Sequence, residues 1–238
     1  MLLDIHSHIL PGVDDGAESI SESIKILKMM KSQGIKAVIA TPHFDPANEN
    51  KEQIKKRIQT VYGELLDQIK ERNLPEVFLG YEVMFRYGMS DIQDLDSLTL
   101  AGTNKILIEL PYGIITNRII AELEEIAFTR KLSPIIAHLE RYKHCEGIEK
   151  IYDAIYNGVV EAQVTADTTQ GILAKKNISK LLKKDVFTYL GSDAHSPDLR
   201  PPMVDSFLKF VKRYHGYFYD QLLDANKKLY KDMKKPTN

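Results

Sequence analysis

The sequence predicts an α/β fold: a (β/α) barrel of seven strands in one domain. Three observations carry this prediction. Short β-rich runs alternate with longer amphipathic runs along the chain. The strand starts recur at residues 2, 36, 77, 105, 134, 159 and 186, a spacing that fits one strand plus one crossover helix. No low-complexity linker, charge block or composition shift divides the 238 residues, a length that suits one large domain. Eight units are usual in a closed barrel, so seven is a departure, and a doubly wound open sheet is the alternative arrangement.

The expected strands are Leu2–His6, Lys36–Thr41, Val77–Glu82, Lys105–Leu110, Pro134–His138, Val159–Val164 and Val186–Gly191. Between them lie helical patterns. In Ser19–Ser32, Ile20, Ile24, Leu27 and Met30 recur at three- and four-residue steps. Glu52–Arg72 repeats the pattern through Ile54, Ile58, Val61, Leu65 and Ile69. Further helices are expected over Asn117–Arg130, Ile148–Tyr156, Ile172–Lys183, Met203–Tyr214 and Asp220–Met233. The tail Lys234–Asn238 carries no such pattern and is expected to fray.

Composition removes several function classes. Lys and Arg number 32 against 33 Asp and Glu, a net charge of -1, so no basic excess recruits nucleic acid or an anionic membrane. No stretch approaches the about 18 apolar residues of a membrane span, and the opening MLLDIHSH lacks the apolar run of a signal peptide. Cys145 is the single cysteine, which excludes an internal disulfide and a Cys-rich zinc module. A lone thiol suits a reducing, cytoplasmic location. Cys145 is not a phosphatase nucleophile of the Cys-x5-Arg type, since Ile151 stands where the Arg is needed. The chain has no GxxxxGK[ST] phosphate loop, no GxGxxG and no GxSxG elbow.

The polar residues are informative by position. The first expected strand ends Asp4-Ile5-His6-Ser7-His8, and the second runs into Thr41-Pro42-His43. The third ends in Glu82, the fourth in Glu109-Leu110 and the fifth in His138-Leu139-Glu140-Arg141. The seventh ends Ser192-Asp193-Ala194-His195, while the sixth is the exception, ending Gln163-Val164-Thr165. Strands of a parallel barrel bring their C-terminal ends to one face, where such enzymes keep their active sites. Strand periodicity puts Asp4, His6 and His8 on one side. Asp15, in the following Asp14-Asp15-Gly16 loop, can fold back over the same face.

Imidazoles and carboxylates without thiolates suit borderline-to-hard divalent ions such as Mn²⁺, Fe²⁺ or Zn²⁺. Nine candidate ligands exceed one zinc site: His6, His8, Asp15, His43, Glu82, Glu109, His138, Asp193 and His195. They suit two or three ions. The four carboxylates among them leave three divalent ions with about +2 net charge, which favours a dianionic phosphate monoester. Arg141 and Arg200 follow the ligands closely, and their planar forks match phosphate oxygens. Phe44, Tyr81, Phe85, Tyr87 and Tyr112 are candidates to grip an aromatic ring at the rim, or simply to pack. His144 and His215 read as surface residues, and Glu140 as peripheral.

This ordered set of motifs resembles the polymerase and histidinol phosphatase (PHP) superfamily. The opening His-Ser-His-Ile-Leu-Pro-Gly-Val-Asp-Asp-Gly looks, more narrowly, like the bacterial capsule and exopolysaccharide protein-tyrosine phosphatases. The resemblance spans residue 1 to about 215. It implies a distorted seven-stranded, TIM-like barrel and a centre usually described as Mn²⁺-dependent. It also implies hydrolysis of phosphotyrosine on a bacterial tyrosine kinase that controls polysaccharide synthesis. Carried over by position, His6, His8, Glu82 and Asp193 would hold one ion. Glu82, Glu109 and His138 would hold a second, and Asp15, His43 and His195 a third. Arg141 and Arg200 occupy the places of the family's phosphate-handling arginines. Relatives often have Pro where Leu139 stands. A metal-activated hydroxide would attack phosphorus in line with the tyrosyl oxygen. The alternative is a small-molecule phosphomonoesterase such as a histidinol phosphatase.

Overall fold

The computed structural model describes residues 1–235. Of the tail expected to fray, Lys234 ion-pairs with Glu76, and residues 236–238 lie outside the described residues. Among the described residues nine strands form: β1 (Leu2–Ser7), β2 (Ile35–Ala40), β3 (His43–Phe44), β4 (Glu76–Leu79), β5 (Glu82–Met84), β6 (Lys105–Glu109), β7 (Ser133–Ile136), β8 (Glu161–Thr165) and β9 (Tyr189–Gly191). Every strand pairing is parallel. The strand orders are β1-β2-β4 in one sheet and β3-β5-β6-β7-β8-β9 in the other.

The hydrogen-bond ladder therefore does not run as one uninterrupted seven-stranded ring. It is a curled parallel sheet in two parts, because two of the expected strands break near their ends. The second stops at Ala40 before Thr41-Pro42, where Pro42 has no N–H to donate, and resumes as β3. The third stops at Leu79 before Gly80-Tyr81 and resumes as β5. Single bonds span both breaks: Gly80 N–H donates to the Ala40 carbonyl at 2.9 Å and Glu82 N–H to that of Pro42 at 3.1 Å. The two sheets meet where β1 passes β9. There Asp193 N–H donates to the His6 carbonyl at 2.8 Å, and His8 N–H to that of Ala194 at 2.9 Å.

The helices follow the amphipathic runs: α1 (Ile20–Ser32), α2 (Lys51–Ile69), α3 (Asn117–Phe128), α4 (Glu149–Tyr156), α5 (Ile172–Leu182), α6 (Val204–Tyr214) and α7 (Gly216–Met233). Two carry the side-chain caps their sequences encode. Ser19 Oγ accepts from Glu22 N–H, and Thr116 Oγ1 accepts from Ile119 N–H. α7 starts at Gly216, four residues before its expected start, directly after α6. Among the described residues no helix is long and apolar enough to cross a membrane.

Strand alternation sorts the core into two layers. Val38, Ile106, Ile108 and Ile136 pack against helix residues such as Leu27, Leu65, Ile119 and Ile151. Leu3, Ile5, Ala37, Ile39, Leu107, Ile135 and Ala137 form a second cluster with Leu229 and Met233 of α7. These layers fix the strand ends, so side chains projecting from the C-terminal ends are held at defined spacings.

Candidate metal centre

All nine expected ligands come together at the C-terminal ends of the strands. Three overlapping groups each have ligand atoms within 4.8 Å of one another: His8, Asp15, His43 and His195; His6, His8 and Asp193; His43, Glu82 and Glu109. His138 stands outside these groups but adjoins the third. Its Nε2 lies 3.0 Å from Glu82 Oε1 and 3.4 Å from Glu109 Oε1. Glu82 is the hub. Its Oε2 lies 3.3 Å from His6 Nε2, 3.4 Å from His8 Nε2 and 2.8 Å from His43 Nδ1, yet no donor meets it with hydrogen-bond alignment. His6 Nε2 and His8 Nε2 themselves sit 3.1 Å apart.

Local backbone makes this crowding possible. A Cβ on Gly16 would collide with the His8 carbonyl oxygen, so only glycine lets the Asp14-Asp15 loop fold back over β1. A Cβ on Gly191 would come within 2.5 Å of His6 Cβ, so glycine also lets β9 press against β1. His138 and Asp193 adopt left-handed backbone at φ 33° and 52°. That region costs energy for residues with a Cβ, and such strain gathers at functional sites.

The charge balance favours cations. Burial disfavours a charged His6, but Glu82 and Asp193 outweigh it and raise its pKa to about 9. His43 is likewise opposed by burial yet raised to about 9, chiefly by Glu82. Burial opposes ionisation of Glu82 and Asp193 too, but the surrounding imidazoles, with the arginines at Asp193, pull both carboxyls below their usual range. His195 goes the other way: burial and the nearby His8 lower it to about 4. Its Nε2 is buried without a hydrogen-bond partner. A cage of acids and imidazoles with bare, buried Glu82 Oε2 and His195 Nε2 fits divalent ions.

Residues 2–229 match the family described as capsular polysaccharide synthesis, CpsB/CapC. The chain belongs to the CpsB/CapC family. CapC of Staphylococcus aureus is 30% identical over 231 residues, covering 93% of this chain and 87% of its own. The tyrosine-protein phosphatase YwqE of Bacillus subtilis is 29% identical over 242 residues, covering 96% and 91%. A crystal structure from the study of YwqE and Streptococcus pneumoniae CpsB, metal-dependent tyrosine phosphatases, superposes with a TM-score of 0.83. It is 24% identical and covers 97% of this chain and 95% of that one. The fold also matches a histidinol phosphate phosphatase of Lactococcus lactis at a TM-score of 0.57 and 12% identity, covering 90% and 94%.

Around the candidate ligands of this CpsB/CapC chain stands a layer that sequence reasoning missed. Gln163 Oε1 lies 3.2 Å from His6 Nδ1 and accepts from His138 N–H at 2.7 Å. Asp14 Oδ2 lies 2.8 Å from His8 Nδ1 and accepts from His43 N–H at 3.1 Å. At His6 and His8 the acceptor beside Nδ1 leaves Nε2 as the nitrogen turned toward the centre, the usual arrangement around metal-ligating histidine. Asp4, although on the His6 side of the expected strand, joins no ligand group. It accepts from Ser192 N–H at 2.8 Å and His6 N–H at 3.3 Å, and burial raises its pKa to about 6. A polar residue at the end of the sixth strand was the one available signal for Gln163. Nothing in the pair Asp14-Asp15 tells the orienting residue from the ligand candidate.

Both arginines reach the mouth of the site. Arg141 pairs with Asp193, and Arg200 Nη2 lies 2.7 Å from Asp193 Oδ2. Glu140 is buried and accepts from Thr165 N–H at 3.3 Å, bracing β8 against the Leu139–Tyr142 turn. His144 is exposed, and His215 Nε2 bonds Ser179 Oγ at 2.6 Å, away from the cluster.

Proposed function

We propose that this chain is a metal-dependent protein-tyrosine phosphatase that acts on a phosphotyrosine-bearing bacterial tyrosine kinase of capsular or exopolysaccharide synthesis, in the cytoplasm. The observation that carries the reading is the three overlapping ligand groups with two arginines at their edge. His6, His8, Glu82 and Asp193 would hold one ion, Glu82, Glu109 and His138 a second, and Asp15, His43 and His195 a third. Mn²⁺ is the ion of choice, with Fe and Zn as alternatives. The same reading takes the two sheets as one distorted seven-stranded barrel in a single domain.

The bound ions would supply Lewis acidity toward the phosphoryl oxygens and lower the pKa of water at the site. The chain's own residues do the rest. Gln163 and Asp14 accept at Nδ1 of His6 and His8, so Nε2 of each imidazole is the atom that faces the centre. Glu82 draws four imidazoles around one carboxylate. Arg141 and Arg200, tethered by Asp193, present their remaining N–H groups to the equatorial phosphate oxygens and neutralise charge gathering there.

The test is release of phosphate from a phosphotyrosine peptide, with Mn²⁺, Fe²⁺ or Zn²⁺ and with chelator, beside histidinol phosphate under the same conditions. The reading expects peptide turnover that chelator abolishes, and a kcat/KM at least tenfold below it for histidinol phosphate. Equal or better turnover of histidinol phosphate would move the assignment to a small-molecule phosphatase.

A further inference from the structure

Five aromatic residues are candidates to meet an aromatic substrate, and the structure separates them. Phe44, Tyr81 and Phe85 are buried, and Phe44 packs edge-on to Tyr81 at 5.2 Å. Tyr87 is edge-on to Phe85 at 5.3 Å, and the Arg118 guanidinium covers its ring at 4.2 Å. Tyr87 and Tyr112 are both exposed, at 47% and 62%, but among the described residues the ring of Tyr112 has no guanidinium over it and packs on Tyr142 at 5.2 Å and 32°. Tyr142 in turn lies 5.8 Å from the imidazole of His138 at 31°. Three rings therefore step from the ligand cluster to the surface.

The loop carrying Tyr112 is pinned on both sides. The Tyr142 hydroxyl donates to the Leu110 carbonyl at 2.9 Å and accepts from Leu110 N–H at 3.0 Å, two residues before Tyr112. Ile115 N–H donates to the Glu146 carbonyl at 2.8 Å, three residues after it. Glu109 lies just upstream on β6, and Arg141 is the chain neighbour of Tyr142. Tyr112 thus packs on the ring next in the chain to Arg141.

We propose that Tyr112 is a specificity-determining residue whose open ring face receives the phenyl ring of phosphotyrosine while Arg141 beside it takes the phosphate. This rests on the phosphatase reading above. In an aryl phosphate a single ester oxygen joins ring to phosphorus, so a platform for the ring must lie next to the phosphate site. Tyr112 has that position, it is held in advance of binding, and aromatic pairs gain beyond plain burial. An alkyl phosphate has no ring to place there.

The experiment compares wild type, Tyr112→Ala, Tyr112→Phe and Tyr112→Trp in the metal-loaded full chain. The substrates are a phosphotyrosine peptide and β-glycerophosphate, with inorganic phosphate as competitive inhibitor. Tyr112→Ala is expected to lower the ratio of kcat/KM for peptide over β-glycerophosphate about tenfold, through KM, with the inhibition constant of inorganic phosphate moving less than twofold. The Phe and Trp variants are expected to keep the ratio within about threefold. A Tyr112→Ala ratio within twofold of wild type overturns the inference, as does an equal fall on both substrates, which marks a structural role. Wild type that hydrolyses neither substrate overturns the phosphatase reading itself, and the inference with it.

Discussion

The ligand cluster has a deep half and an open half. His6, His8, Glu82 and His138 are at most 1% exposed, and Asp193 is 4% exposed. Each is braced by a neighbour that is not a ligand candidate: Gln163 behind His6 and at His138 N–H, Asp14 behind His8, two arginines at Asp193, and the sheet bond from Glu82 N–H to Pro42. Asp15 and His43, with side chains 66% and 39% exposed, sit on a loop and a two-residue strand. Their mutual contact is long, 3.4 Å between His43 Nε2 and Asp15 Oδ1. The deep half is tied down by bonds within the protein itself. Within the open half His43 is tied to Asp14 and Glu82, while Asp15 has only 3.4 Å contacts to His43 and His195.

The largest expected effect tests the hub. Glu82→Gln keeps shape but removes the charge that faces four imidazoles. It should lower kcat/KM on a phosphotyrosine peptide by about 1000-fold or more and cost the protein its tightly held metal by elemental analysis, as loss of a shared ligand charge does. Activity within tenfold of wild type would show that the deep half is not where the chemistry sits.

Gln163→Leu and Asp14→Asn remove braces without removing a ligand candidate. Each should weaken metal binding by about 10- to 100-fold in calorimetric titration. If neither moves the dissociation constant, the deep half owes nothing to its supporting residues.

The pH dependence follows from His6 and His43, both raised from 6.5 to about 9 without metal. Each must shed its proton to ligate an ion. Apparent metal affinity should therefore climb from pH 7 to 9, by about tenfold per unit for each proton displaced, and flatten above that. Stability of the metal-free protein should move oppositely. A histidine raised on folding stabilises fully below 6.5, and that contribution is lost as pH passes 9. Asp4, at about 6, is already largely ionised over this range and adds little slope. The melting temperature of chelated protein should fall between pH 6.5 and 9, and a rise would contradict the charge balance drawn here.

The smallest effect belongs to the open half. Asp15→Asn should weaken one metal equivalent by about tenfold or less, leaving the deep equivalents in place, because an exposed carboxylate is solvated with or without the ion. Loss of all bound metal in this variant would erase the distinction between the halves.

Much of this was legible in the chain itself. Alternating strand and helix patterns set an α/β fold with parallel strands, since only crossover helices join strands in that sense. The metal-type residues fell at strand ends, and parallel strands bring those ends to one face, so nine residues spread over His6 to His195 could be named together. Tertiary structure alone decided the rest. The breaks at Pro42 and Gly80 turned an expected ring of seven strands into two sheets, because a ladder bond depends on the partner strand as well as on the residue. Asp14 and Asp15 are chemically identical neighbours, and only the fold-back over Gly16 makes one a brace for His8 and sets the other before His43 and His195. Gln163 looked like a gap in the series of strand ends, yet its carbonyl serves His6 and His138 across 157 and 25 residues. Sequence periodicity reports which way a side chain points along its own element. Which atom it meets on another element is set by distances that exist only once the chain has closed.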